Sequence, residues 1–99
     1  FLLPMDEASA QVSLDLSGRP YFKFKGALKR EAVGGLPTEL VSHFFRSLAE
    51  SLGAALHIEL RGENAHHMIE ASFKAVGRSL RQAIARTGET SLPTTKGAL

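Results

Sequence analysis

Apolar and polar side chains alternate along three stretches of the chain, and each stretch predicts a half-buried β-strand. Their apolar members are Ala10, Val12, Leu14 and Leu16 in the first, Phe22 and Phe24 in the second, and Leu56, Ile58 and Leu60 in the third. A period of two places such side chains on one face of a sheet. The turn-forming residues at 17–20 separate the first two stretches, which predicts a β-hairpin, and residues 1–5 predict an extra edge strand.

Two other stretches have the spacing of amphipathic helices. The first runs over about 39–52, with Thr38 as the predicted N-cap and Gly53 as the residue that ends it. The second follows the predicted cap Asn64 and runs to about Arg86. The apolar faces are predicted to be Leu40, Val41, Phe44, Leu48 and Leu52 in the first helix, and Ile69, Phe73, Val76, Leu80 and Ile84 in the second.

This order of elements predicts an α+β two-layer sandwich, in which two helices cover one face of a small antiparallel or mixed sheet. The opposite sheet face is polar, so we expect it to meet solvent or a second, similar domain. Residues 1–88 form the predicted domain, and residues 89–99 form a C-terminal tail without apolar periodicity.

Composition narrows the class of protein. The chain has 99 residues, 43% of them hydrophobic, which fits one globular domain or part of one. It has no cysteine, which excludes a disulfide framework, and we expect a soluble cytoplasmic protein because no apolar run approaches a membrane span. The net charge of +2 is spread along the chain, which argues only weakly for nucleic acid. The first residue is Phe in the middle of a strand-like pattern, so we expect a fragment or a processed piece.

The most chemically suggestive residues begin the second helix. His66, His67, Glu70 and Lys74 are spaced so that positions three and four apart share a helix face. Imidazole and carboxylate suit a borderline divalent metal such as manganese, iron or zinc, and the lysine suits an anionic ligand beside it. The alternative is a solvated helix face stabilised by i,i+4 pairs. His43, off the apolar face of the first helix, is by itself more typical of a surface histidine.

Two further segments contain residues that could bind a ligand, but each also has an ordinary explanation. The tail segment Thr94, Thr95, Lys96 and Gly97 offers hydroxyl, backbone N–H and ammonium groups that suit a phosphate, although a frayed terminus has the same composition. Arg19 lies in the predicted turn, where a solvated role is the ordinary interpretation.

Several motifs together resemble the imidazoleglycerol-phosphate dehydratase family, and the resemblance covers nearly the whole chain. They are Pro4-Met5-Asp6-Glu7-Ala8, Asp15-Leu16-Ser17-Gly18-Arg19-Pro20, Thr38-Glu39-Leu40-Val41 with His43-Phe44-Phe45, Gly62-Glu63-Asn64-Ala65-His66-His67, Glu70-Ala71-Ser72-Phe73-Lys74-Ala75 and Pro93-Thr94-Thr95-Lys96-Gly97. The family is a tandem duplication of two halves of the ribosomal protein S5 domain 2-like type. This chain resembles the second half, so the N-terminal half is the first partner that the resemblance implies.

The resemblance also implies a set of site residues. His43, His66, His67 and Glu70 match manganese ligands, with two metal sites per complete subunit that lie between halves and between subunits, in a homo-oligomer of 24 subunits. Arg19, Lys74, Thr94, Thr95 and Lys96 match the substrate phosphate site, and His66 also contacts substrate. The implied reaction dehydrates imidazole glycerol phosphate to imidazole acetol phosphate in histidine biosynthesis, with no role for nucleic acid or membrane. Glu70 is the candidate for proton transfer, but a carboxylate of the other half fits equally.

Three questions stay open at this stage. The ligand types suit manganese, iron and cobalt alike. Asp6 and Glu7 match a family motif, but a structural role explains them equally well. The alternative function is a non-catalytic S5-like module that binds nucleic acid or a protein partner.

Overall fold

The structure is a computed structural model that describes residues 1–90, with side chains through residue 85. Its strands are β1 (Leu2–Met5), β2 (Ala8–Asp15), β3 (Tyr21–Lys25), β4 (Ala32–Val33), β5 (Leu36–Pro37) and β6 (Ala55–Arg61), and its helices are α1 (Glu39–Leu52) and α2 (Ala65–Thr90). Four strands form one mixed sheet in the order β1-β2-β6-β3, and β4 and β5 form a separate small hairpin. The predicted α+β architecture is confirmed, including the edge strand at the start of the chain.

The predicted hairpin between β2 and β3 is wrong, because β6 lies between them. Ile58 of β6 is opposite Val12 in the antiparallel direction and opposite Phe24 in the parallel direction. The central position of β6 agrees with the burial of Leu56, Ile58 and Leu60, and α1 supplies the crossover that a parallel pair requires. The hairpin in this sheet is β1–β2, which pair antiparallel with Met5 opposite Ala8.

Both helices pack on one face of the sheet, but each is rotated from the predicted orientation. In α1 the buried residues are Val41, Phe45 and Ala49, whereas Leu40, Phe44 and Leu52 are exposed. Val41 is confirmed as core, but the other buried positions, 45 and 49, are offset by one from the predicted positions 44 and 48, which is about 100° around a helix. Apolar residues occupy such a wide arc of α1 that periodicity alone does not select the inward direction.

In α2, small residues occupy the most deeply buried positions. Ala71, Ser72 and Ala75 are fully buried, and they let the helix approach the strands closely. The predicted core residues Ile69 and Val76 are confirmed as buried, but Phe73 is 40% exposed and Ile84 is 58% exposed. Large exposed apolar residues therefore remain on the helical layer, and we call this set the outer helix face: Leu40, Phe44, Leu52, Phe73 and Ile84.

The predicted helix ends are largely confirmed. Gly53 ends α1 in the left-handed region at φ 64°, which a residue without Cβ adopts without strain. Thr38 occupies the N-cap position, but its hydroxyl donates to the Arg30 carbonyl oxygen at 2.7 Å instead of capping the helix. Helix α2 runs through Thr90, past the predicted end near Arg86, and the tail boundary at 88/89 stays a prediction. Within residues 1–90, neither helix is long and apolar enough to cross a bilayer.

Candidate metal and phosphate site

The first three turns of α2 carry three charged or ionisable side chains in a line. Nε2 of His66 lies 3.4 Å from Oε1 of Glu70, and Nζ of Lys74 lies 3.2 Å from Oε2 of the same carboxylate. The Lys74 ammonium lowers the pKa of the Glu70 carboxyl, with a smaller contribution from His66. The predicted clustering of these three side chains is confirmed, and the arrangement presents an imidazole, a carboxylate and an ammonium group to one side of the helix.

His67 points in a different direction, toward the turn that joins β1 to β2. Its Nδ1 lies 2.8 Å from Oε1 of Glu7, and its Nε2 lies 3.4 Å from Oδ2 of Asp6. Adjacent helical positions lie about 100° apart around the axis, and the ring planes of His66 and His67 are inclined by 80°. The hydrogen bond with Glu7 raises the pKa of His67. The two histidines therefore face different surroundings within one turn of helix.

Glu7 is a functional candidate whose role the sequence left open. Its Oε2 accepts hydrogen bonds from the backbone N–H groups of Glu63 at 3.1 Å and Asn64 at 2.8 Å, while its Oε1 bonds His67. These bonds, the one from Asn64 first, lower the pKa of Glu7 to about 2. Glu7 and Asn64 are 57 residues apart, so no local spacing could reveal the contact.

The other predicted site residues lie apart from this cluster. Arg19 follows the carboxyl end of β2, whereas His66 and His67 lie near its amino end, beside Glu7. The eight residues of β2 span roughly 23 Å at 3.3 Å per residue. His43 is exposed on α1. The tail residues Thr94, Thr95 and Lys96 lie outside the described residues.

The side chains that could donate to a metal do not form a complete metal site within the described part of this chain. Among the side chains described, those of residues 1–85, no group of three His, Asp or Glu is arranged to hold a metal ion. The pair His66–Glu70 and the ring of His67 offer nitrogen and oxygen donors of the type that manganese, iron and zinc accept. The ligand assignments, including His43, stay predictions.

A small recess lies beside the exposed side of His66. It has a volume of about 180 Å³, and its remaining walls are Val33, Leu36, Ile69 and Glu70. The β4–β5 hairpin thus places apolar side chains next to the imidazole–carboxylate pair. A flat, partly apolar ligand group fits such surroundings better than a fully hydrated ion does.

The fold and the site together define an α+β half-domain with histidine and carboxylate donors on one helix. The family model of imidazoleglycerol-phosphate dehydratase matches residues 1–80. The chain belongs to the imidazoleglycerol-phosphate dehydratase family, as the sequence motifs predicted.

Individual relatives agree with this assignment. The histidine biosynthesis bifunctional protein HisB of Xanthomonas euvesicatoria is 64% identical over 99 residues, which are 100% of this chain and 26% of that protein. The HisB of Stenotrophomonas maltophilia is 62% identical, with 100% of this chain and 28% of that protein covered. The chain thus spans about a quarter of the length of these curated relatives.

Solved structures show the same fold. The imidazoleglycerol-phosphate dehydratase of Staphylococcus aureus matches with a TM-score of 0.79 at 49% identity, over 81% of this chain and 47% of that one. The IGPD of Pyrococcus furiosus matches with a TM-score of 0.74 at 41% identity, over 82% of this chain and 46% of that one. Each solved chain is therefore about twice as long as the matched part.

Proposed function

We propose that this chain supplies one half of the active site of an imidazoleglycerol-phosphate dehydratase. The reaction removes water from imidazole glycerol phosphate and gives imidazole acetol phosphate, a step of histidine biosynthesis, in the cytoplasm. The single observation that carries the proposal is the line His66–Glu70–Lys74 on α2, in a chain whose family match covers residues 1–80. The alternative, a module that binds nucleic acid or a protein partner, has no comparable observation in its favour.

Different residues of this chain are suited to bind the imidazole end and the phosphate end of the substrate. The recess beside His66 suits the imidazole ring, since apolar walls from Val33 and Leu36 accompany a carboxylate. The ammonium group of Lys74 suits the phosphate or its connecting arm. Glu70 is held as a carboxylate by Lys74, so it serves as a ligand or a proton acceptor rather than as an acid.

Manganese is the metal that we propose, with two sites per complete subunit. His43, His66, His67 and Glu70 are the donors from this chain, and their nitrogen and oxygen atoms fit a borderline divalent ion. When bound, such an ion supplies Lewis-acid withdrawal of electron density from the substrate. Since the donors on α2 occur as partial sets, the remaining ligands come from the other half of the enzyme or from other subunits.

The outer helix face is the surface that we assign to the N-terminal half. The rings of Phe44 and Phe73 lie 5.4 Å apart on this face, and about half of each is exposed in this chain. Exposed aromatic rings in contact with each other are typical of an interface. The solved relatives are about twice as long as the matched segment, which supplies a second half of the right size to cover it.

The phosphate site of the proposal includes residues from more than one region. Arg19, Lys74, Thr94, Thr95 and Lys96 provide charge and hydroxyl groups for a phosphate. Arg19 and His66 lie near opposite ends of β2, so one chain does not present both to the same substrate. A homo-oligomer, for which we propose 24 subunits, resolves this by combining the two ends of different copies.

Substitution of the histidines tests the proposal. In protein that carries the complete dehydratase, the double variant His66→Ala/His67→Ala should lose bound manganese and activity, because two nitrogen donors are removed. His57→Ala is the matched control, since this exposed histidine lies on the opposite face of the sheet. Elemental analysis measures the metal, and full manganese occupancy in the double variant would show that the ligand assignment is wrong.

A further inference from the structure

The turn between β1 and β2 is bonded to the beginning of α2 through a single carboxylate, that of Glu7. One oxygen accepts the backbone N–H groups of Glu63 and Asn64, and the other lies 2.8 Å from Nδ1 of His67. Asn64 completes the arrangement, because its Oδ1 accepts the backbone N–H of His67 at 3.1 Å. Glu7 therefore fixes the ring of His67, while Asn64 fixes its backbone at the start of the helix.

The backbone around Glu7 adopts conformations that bring the carboxylate close. Asp6 has φ 53°, in the left-handed region that residues with a side chain seldom enter. Gly62, just before α2, has φ 146°, and a Cβ there would lie 2.8 Å from Cβ of Ala8 and 3.2 Å from Oε2 of Glu7. These two positions let the turn and the helix start approach each other. Such backbone conformations cost free energy, and the contacts around them have to compensate that cost.

We propose that Glu7 is a positioning residue that keeps the proton of the neutral His67 ring on Nδ1 and leaves the Nε2 lone pair available to bind a cation. The contact of Nδ1 with Oε1 of Glu7 has hydrogen-bond length at 2.8 Å, whereas Oδ2 of Asp6 lies 3.4 Å from Nε2, beyond the usual length of an N–H···O bond. A carboxylate only accepts hydrogen bonds, so an imidazole that bonds it through Nδ1 must carry its proton there. A carboxylate that accepts a hydrogen bond from the non-ligating ring nitrogen of a metal-binding histidine commonly fixes the ring in this way. The inference rests on the proposed function only for the identity of the ion that Nε2 binds.

A purely structural explanation competes with this role. Glu7 would then serve only to satisfy the backbone N–H groups at the helix start, and its bond to His67 would be incidental. The two explanations differ in one observable, the position of the imidazole proton. Loss of a helix-start contact lowers stability under either explanation, so the melting temperature alone does not separate them.

Glu7→Gln separates them, because a carboxamide keeps the size of the side chain and one acceptor oxygen. That oxygen can still accept the N–H groups of Glu63 and Asn64, which leaves the NH₂ group opposite Nδ1 of His67. An NH₂ group requires an acceptor, so the ring proton should move to Nε2. Magic-angle-spinning NMR of the complete, metal-free dehydratase labelled with ¹⁵N-histidine measures the tautomer at about pH 9, above the ordinary histidine range. The His67 signal is assigned by its loss in His67→Gln.

The expected result is Nδ1–H in the wild-type protein and Nε2–H in Glu7→Gln. Glu63→Gln is the matched control, since this carboxylate lies at the same junction but pairs with Lys29 at 3.6 Å. It should leave the tautomer unchanged. A wild-type Nε2–H ring would overturn the proposal even if the Glu7 variant failed to fold, and so would a tautomer that is the same in the wild type and in Glu7→Gln.

Manganese titration of the same proteins provides the second measurement. Glu7→Gln should bind Mn²⁺ about 10- to 100-fold more weakly than the wild type, the usual consequence of losing such a partner, whereas Glu63→Gln should not. Unchanged affinity in Glu7→Gln would overturn the role assigned to Glu7. If the tautomer moves as expected but neither the wild type nor the variants bind Mn²⁺, the proposed function fails while the positioning of the ring stands.

Discussion

His66 and His67 are neighbours in sequence, yet their side chains have different partners. His66 pairs with Glu70 along the helix, whereas His67 pairs with Glu7 across 60 residues of chain. The first pairing could be predicted from i,i+4 spacing, since it depends only on helix geometry. The second could not, because it depends on how the β1–β2 turn meets α2. The contact between His66 and Glu70 was therefore predictable from the sequence, whereas the contact partners of His67 were not.

The Glu7 contact predicts a pH dependence of stability. Its pKa is about 2 in the folded chain and 4.5 in the reference state, so ionised Glu7 stabilises the fold above about pH 4.5. This contribution is lost as the pH falls from 4.5 toward 2, where the carboxylate is protonated. Metal-free Glu7→Gln should therefore be less stable than the wild type at neutral pH, and the difference should shrink across that window. Urea unfolding at several pH values measures it, and a constant difference would contradict the assignment.

The two helices show why apolar periodicity predicts an element better than it predicts its orientation. The predicted bounds of α1 are confirmed, but its buried residue is Phe45 rather than Phe44. In α2 the most deeply buried positions are Ala71, Ser72 and Ala75, whose small size lets the helix lie close to the sheet, while the larger Phe73 is 40% exposed. Hydrophobicity by itself favours the larger residues as core. The distance between the helix and the sheet favours small residues at these buried positions, and that distance is set only when the sheet has assembled.

The adjacent phenylalanines of α1 give a direct test of this orientation. Phe45 is 1% exposed, and Phe44 is 51% exposed. Phe45→Ala should lower the free energy of unfolding of this chain by about 3–5 kcal/mol, since it removes a fully buried ring. Phe44→Ala should cost about 1 kcal/mol, because half of its ring already contacts water. Chemical denaturation compares them, and equal losses would show that the helix orientation is wrong.

The four-stranded sheet was predictable in content but not in order. Each strand that the pattern predicted is present, and the alternation of β6 was assigned to the correct face. The turn signal at 17–20 indicated only that the chain reverses or crosses there. It did not show that a strand from residues 55–61 inserts beside β2, a pairing that depends on α1 as a crossover.

For the whole molecule, the position of Arg19 leads to a prediction about mixed assemblies. Arg19 and His66 lie near opposite ends of β2, so a site that uses both draws them from different copies. Inactive Arg19→Ala and inactive His66→Ala proteins, dissociated and reassembled together, should regain activity. Random mixing leaves both residues intact in about one site in four.

The control for this experiment is each variant reassembled with itself, which should stay inactive. Activity of the mixture is measured with the dehydratase substrate after removal of free subunits. If the mixture is as inactive as either parent, then Arg19 and His66 do not meet in shared sites. The oligomeric proposal would then lose the geometric reason that we give for it.

The outer helix face has a consequence for how such a protein is made in the cell. Phe44 and Phe73 present rings to water on this side of the chain. In the complete enzyme that we propose, the N-terminal half leaves the ribosome first, so its folded surface is available to these side chains as soon as they emerge. The covalent connection in that enzyme holds the surface at a high effective concentration and in equal amount. We therefore expect the order of translation itself to protect the second half from aggregation, a protection that separate synthesis of this chain would remove.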